Sequence, residues 1–174
     1  MRFFPPNIGL DVSETSLKAV GLKETEGGLF GLEAFGKEYF PAGSIVDGEI
    51  KNSGNVLKAL RTVLDNKTNG FTKTKYLVIS LPEEKTFTRF LEMPAALKET
   101  ELVEALKWEI ESNLPVSLDE VYFDSEVLNR DAASGHCDML VNAVPKRIVD
   151  SYVACFNDNG YHILGLEVES VSAH

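Results

Sequence analysis

The chain has 174 residues, a formal net charge of -10, 44% hydrophobic and 25% charged residues. That balance fits a globular protein of one ordinary domain or two small ones. The acidic excess opposes a nucleic-acid partner or docking on anionic lipid. No apolar run reaches the roughly 20 residues of a membrane helix, and MRFFPPN carries too short an apolar stretch to act as a signal peptide.

In chain order, Ile8, Leu10 and Val12 alternate as in a strand, SETS turns, and Leu17 to Leu22 returns as a second strand. ETEGG supplies the next turn and Leu29 to Lys37 a third strand, so the start reads as an antiparallel meander. Gly43 and Gly48 mark turns, and Asn52 or Ser53 can cap a helix whose apolar face holds Val56, Leu57, Leu60, Val63 and Leu64. Asn69-Gly70 closes that region. YLVISL, Tyr76 to Leu81, is a continuous apolar run, which predicts a strand buried on both faces.

The next block runs from a strand at Thr86 to Met93 into a helix at Glu99 to Leu114, stopped by Pro115. Leu102, Val103, Leu106, Ile110 and Leu114 gather on the core face of that helix, and Trp108 falls nearly opposite, near Glu101, Glu104 and Ser112. Strands follow at Glu120 to Leu128, with Val121, Phe123 and Val127 on one side, and at Met139 to Val144, separated by the polar loop NRDAASGHC. Pro145 suits the first turn of a last helix, with Val149, Tyr152, Val153 and Phe156 as its buried stripe, and Ile163 to Val168 forms a last strand before VESVSAH.

Catalytic chemistry finds little support. HExxH, GxSxG and Walker loops are missing from the sequence. Asp124 and Glu126 share a strand face, where two carboxylates could work as acid and base, but a solvated face is the simpler expectation. Cys137 and Cys155 are far apart and read as reduced thiols. His136, Cys137 and Asp138 stand together without a second cluster to complete a zinc ligand set, so no metal is expected.

Four stretches resemble the PilM family, the cytoplasmic actin-like proteins of type IV pilus assembly related to the division protein FtsA: IGLDVSETSLKAV, VDGEI, LKWEIESNLPVSLDEVYFDSEVL and LVNAVPKRIVDSYVACFNDNG. The resemblance covers nearly the whole chain and matches the N-terminal half of such a protein. It implies an α/β fold with a mixed sheet. Residues 1–83 and 146–174 would form an actin-like (ribonuclease H-like) subdomain 1A, and residues 84–145 an inserted strand-helix-strand-strand (SHS2-type) subdomain 1C.

In this family the first hairpin holds nucleotide phosphates, so the resemblance places Asp11, Ser13, Glu14, Thr15, Ser16 and Lys18 in that role, with Asp11 at the Mg²⁺ waters and Lys18 adding charge. Three features oppose binding here. The family has glycine where this chain has Ser13, a side chain that crowds a phosphate or resists positive φ. Glu14 adds negative charge. The second phosphate loop and the adenosine loop lie in the family's C-terminal half. No cofactor is therefore expected in this chain, and ATP with Mg²⁺ stays open only for a full-length parent. Asp11 and Ser13 would then simply shape a turn.

The resemblance also implies a partner. A short N-terminal peptide of the bitopic membrane protein PilN sits in a cleft beside subdomain 1C, and Phe90, Met93 and Trp108 are the expected lining residues. Trp108 could equally pack on the protein itself. The implied role is a non-enzymatic scaffold among pilus platform proteins, cytoplasmic and peripheral to the inner membrane through its partner, without direct membrane insertion. The alternatives are an actin-like ATPase completed by a C-terminal half, or an FtsA-like division protein, which would need an amphipathic membrane helix.

Overall fold

The computed structural model describes residues 5–25, 28–71, 73–82, 86–113, 117–131, 133 and 135–168. It divides into two compact units, Met1–Glu84 with Ile148–His174, and Lys85–Arg147. The boundary expected at 83/84, the helix stop at Pro115 with Leu114, the Glu26-Gly27 part of the second turn and the tail after Val168 lie outside the described residues.

Unit 1 is built on a five-stranded mixed sheet. Its strands are β1 (Asn7–Val12), β2 (Ser16–Glu24), β3 (Phe30–Tyr39), β6 (Tyr76–Leu81) and β10 (His162–Val168), in the spatial order β10-β6-β1-β2-β3. β1, β2 and β3 pair antiparallel, while β6 lies parallel to both β1 and β10. The antiparallel β1-β2-β3 meander is the one the alternation predicts, and the mixed α/β sheet is the one the resemblance implies. A two-stranded ribbon, β4 (Ile45–Val46) and β5 (Glu49–Ile50), turns through Asp47 and Gly48 at φ 51 and 75. Asp-Gly suits such a turn because both positions need positive φ.

One sheet face carries the core. Ile8, Leu10, Val12, Leu17, Ala19, Leu77, Ile79 and Leu81 are buried there. Helix α1 (Ser53–Asp65) is capped by Asn52, whose side chain accepts from the Asn55 N–H at 3.1 Å. It buries Val56, Leu57, Ala59, Leu60 and Val63, while Leu64 sits at the rim. Helix α3 (Lys146–Asn157) buries Ile148, Tyr152, Cys155 and Phe156, so the expected stripe is shifted: Val153 faces out and Val149 is half-buried. Pro145 is the last residue of the preceding strand, paired with Val121, rather than part of the helix.

The double burial expected for YLVISL is not found. Leu77, Ile79 and Leu81 are buried, but Val78 and Ser80 are half-buried and Tyr76 is exposed. β6 is central in its sheet, yet the described residues cover only one of its faces. An apolar run agrees with a central place in the sheet but does not establish that both faces are covered.

Unit 2 is a three-stranded antiparallel sheet, β7 (Phe87–Pro94), β8 (Val121–Asp131) and β9 (His136–Pro145), in the order β7-β9-β8, with helix α2 (Glu99–Asn113) on one face. Its core joins Met93, Leu102, Leu106, Ile110, Cys137, Met139 and Val141, with Phe123 and Leu118 packed against them. Val103, expected in the core, is exposed, because it lies about 100° around the helix from Leu102. The polar loop expected between β8 and β9 is mostly strand: pairing reaches Asp131 with His136, and Gly135 at φ 80 turns the chain. Ladder hydrogen bonds are made by the backbone, so polar side chains do not end them.

Candidate functional site

The hairpin between β1 and β2 is three residues long, Ser13, Glu14 and Thr15. Ser13 N–H donates to the Ser16 carbonyl at 2.9 Å. The Ser13 hydroxyl oxygen accepts from Ser16 N–H at 3.2 Å and lies 2.9 Å from the Ser16 hydroxyl. Thr15 carbonyl accepts from Phe40 N–H at 3.0 Å. Ser13 is not at positive φ, since Asp47 alone among described non-glycine residues is. The expected backbone conflict at Ser13 is therefore corrected: the serine fits the turn and ties it closed with its own hydroxyl.

Asp11 and Lys18 are cross-strand neighbours, and Lys18 Nζ meets Asp11 Oδ2 at 2.5 Å. Both side chains keep solvent access, so the pair contributes little to stability. It does neutralise the two charges expected to receive a metal-bound phosphate. Two turn N–H groups, those of Ser13 and Ser16, already have partners within the hairpin. Glu14 and Thr15 are exposed at its tip and Ser16 is buried. The residues present thus fit a closed turn better than an open phosphate nest.

The register adds two residues that sequence reasoning missed. Glu167 pairs with Ser80, Ser80 with Asp11, and Asp11 with Lys18. This makes one polar row across four strands, on the face opposite the core. A shallow concavity there is lined by Gly9, Asp11, Lys18, Val20, Val78, Ser80 and Glu167. The row lies at the C-terminal ends of parallel strands, a common location for ligands in α/β sheets. Pairing register was the missing signal.

Beneath the sheet, Cys155 and Tyr152 are fully buried. Burial pushes the Cys155 thiol up to about 12. Burial also drives the Tyr152 hydroxyl upward, helped by the nearby charges of Cys155 and Asp11. A reactive thiolate needs the opposite shift, so Cys155 is packing material.

Phe90, Met93 and Trp108 are not brought together. Met93 is 7% exposed and belongs to the core under α2. Its removal from the partner-contact set is a correction: strand alternation points Met93 inward and Phe90 outward. Phe90 is 74% exposed on the sheet face away from α2, and Trp108 is 74% exposed on α2 itself. Glu101, Glu104, Glu109 and Glu111 are exposed on the same helix. His136 and Asp138 point to one face of β9 and Cys137 to the other, and no cluster able to hold a metal occurs among the described residues.

The profile described as "Type IV pilus assembly protein PilM" matches residues 9–174. The chain belongs to the PilM family. The solved structure titled "PilM-PilN type IV pilus biogenesis complex" is similar to this family member with a TM-score of 0.80 and 21% identity, covering 95% of this chain and 48% of that one. The chain thus spans about half the length of that solved relative. The cytoplasmic domain of EpsL, an inner-membrane component of the type II secretion system of Vibrio cholerae, matches with a TM-score of 0.60 and 11% identity, covering 94% of this chain and 57% of that one. At these identities the two structures establish a shared fold. Among the described residues of this PilM-family chain, no helix is long and apolar enough to cross a membrane.

Proposed function

We propose that this PilM-family chain is a cytoplasmic, non-enzymatic scaffold of a type IV pilus inner-membrane platform, docking the N-terminal cytoplasmic peptide of a PilN-like bitopic membrane protein. The observation that carries the reading is Trp108. It is 74% exposed on a helix whose core stripe, Leu102, Leu106 and Ile110, is already complete. A tryptophan left in water adds nothing to folding, whereas at interfaces tryptophan is a preferred anchor. A solved relative of matching fold was determined as a complex with PilN, which supports the partner class. Membrane association would come through the partner, because the chain supplies no spanning helix among its described residues.

The test is titration of the chain with the N-terminal peptide of a PilN-like protein, alongside denaturant unfolding of the same samples. Trp108→Ala is expected to weaken peptide binding by roughly 2 kcal/mol or more and to change stability by no more than about 0.5 kcal/mol. A destabilised variant that binds normally whenever folded sinks Trp108 as the anchor. No binding by the wild-type chain sinks the partner.

A further inference from the structure

The sheet face of unit 2 turned away from α2 carries a pattern that its own fold does not use. In the middle of this face, register places nine outward side chains in three rows. Thr88, Asn142 and Asp124 form one, Phe90, Leu140 and Glu126 the next, and Glu92, Asp138 and Asn129 the third. Four of the nine are carboxylates and none is lysine or arginine. Phe90 stands 74% exposed at the edge of this grid, beside half-buried Leu140. Glu92 and Asp138 face each other directly across strands, and like charges so placed destabilise a sheet. Within the face, Glu92 meets His136 Nδ1 at 2.5 Å and Asp138 meets Asn129 Nδ2 at 3.4 Å. The core cluster under α2 lies on the other side, and neither the exposed ring nor the crowded carboxylates belong to it.

We infer that this face docks a cationic segment of another protein, extended, with an apolar residue over Phe90 and Leu140 and a lysine or arginine two positions to either side. Side chains on one face of an extended chain recur every two residues, about 6.5–7 Å apart, and the rows of this grid have the same spacing. The carboxylate rows flanking the apolar row then each meet one cation. Complementary potentials of this kind set orientation and speed encounter. A second copy of the chain is the wrong occupant, since its net charge is -10. The inference stands apart from the PilN-like reading, which rests on Trp108 of α2, and the two can fail separately.

The experiment uses the whole chain, followed by backbone-amide NMR, with the capped peptide Ser-Lys-Ser-Leu-Ser-Lys-Ser as probe and its Ser-Glu-Ser-Leu-Ser-Glu-Ser counterpart as control. Shifts are expected to concentrate on residues 88–92, 124–126 and 138–142 with the cationic probe alone, and to shrink between about 0.05 M and about 0.5 M salt. Phe90→Ala and the double variant Asp124→Lys/Glu126→Lys should each raise the probe's Kd about tenfold, an interface-anchor effect. The α2 double variant Glu104→Lys/Glu111→Lys should leave it within about twofold, the two surfaces being independent. Thermal unfolding confirms that each variant folds, and the charge reversals on edge strand β8 stand in if Phe90→Ala does not. Shifts centred on α2, equal losses from both double variants, or silence at millimolar probe each overturn the inference.

Discussion

Ser13 closes its own turn. Its hydroxyl satisfies Ser16 N–H from inside the turn, where a glycine would leave that donor to a ligand. Burial of Cys155 couples folding to pH. Its thiol is held up to about 12 by burial, against about 8.5 for an unfolded cysteine. A raised folded pKa means that the unfolded chain loses its proton first as pH climbs. Stability is therefore full below about 8.5 and declines from there toward 12. At pH ~10 the expected loss is roughly 1–2 kcal/mol, since each pH step of one above the unfolded pKa costs about 1.4 kcal/mol. Urea unfolding at neutral pH and at about pH 10 measures it. Cys155→Ala should flatten this slope while lowering stability at both pH values through the lost packing; an unchanged slope would assign the effect to other groups.

At the scale of elements, close approach of β3 to α1 hangs on Gly36. A Cβ there would meet Val63 Cγ1 and Asn69 Nδ2, each at 2.7 Å. Asn69 is itself fixed by donating to the Val63 carbonyl at 2.8 Å. Gly36→Ala should cost about 1–3 kcal/mol by overpacking, read as a lower unfolding midpoint; an unchanged midpoint would mean that β3 can move off the helix. In unit 2, Leu106→Ala should cost about 2–5 kcal/mol, whereas Val103→Ala should stay within about 0.5 kcal/mol, although the two residues lie one turn apart. That contrast marks where the sequence was legible and where it was not. Periodicity located the three α-helices of the described residues and the meander, because apolar spacing tracks a buried face. It misplaced Val103 and Val153, which sit at stripe margins where a rotation of one residue decides exposure. Alternation along β7 already parts Phe90 from Met93, three residues apart, so their opposite faces were legible once that strand was drawn. Periodicity could not see that Glu167 and Ser80 align with Asp11, which depends on which strands become neighbours.

Across the whole molecule, the question is whether the first hairpin and the polar row amount to a nucleotide site. The chain holds one sheet face with Glu167, Ser80, Asp11 and Lys18 in line, and it spans 48% of the solved relative it matches. A phosphate approaching that row meets two carboxylates and one lysine, and the lysine is engaged by Asp11 at 2.5 Å. Displacing that pair gains nothing unless Mg²⁺ replaces the lysine at Asp11, and the incoming phosphates would still find Ser13 and Ser16 N–H groups committed. Burial of adenine needs apolar enclosure on more than one side, and the concavity here is shallow and single-sided among the described residues. Calorimetric titration of this 174-residue chain with ATP and Mg²⁺ should therefore show no saturable binding up to roughly millimolar ligand, where the available free energy is only about 4 kcal/mol. Lys18→Ala should change nothing in that titration. A dissociation constant in the low micromolar range, lost in Lys18→Ala, would mean that the hairpin opens to take phosphate and that the closed turn is only its resting form.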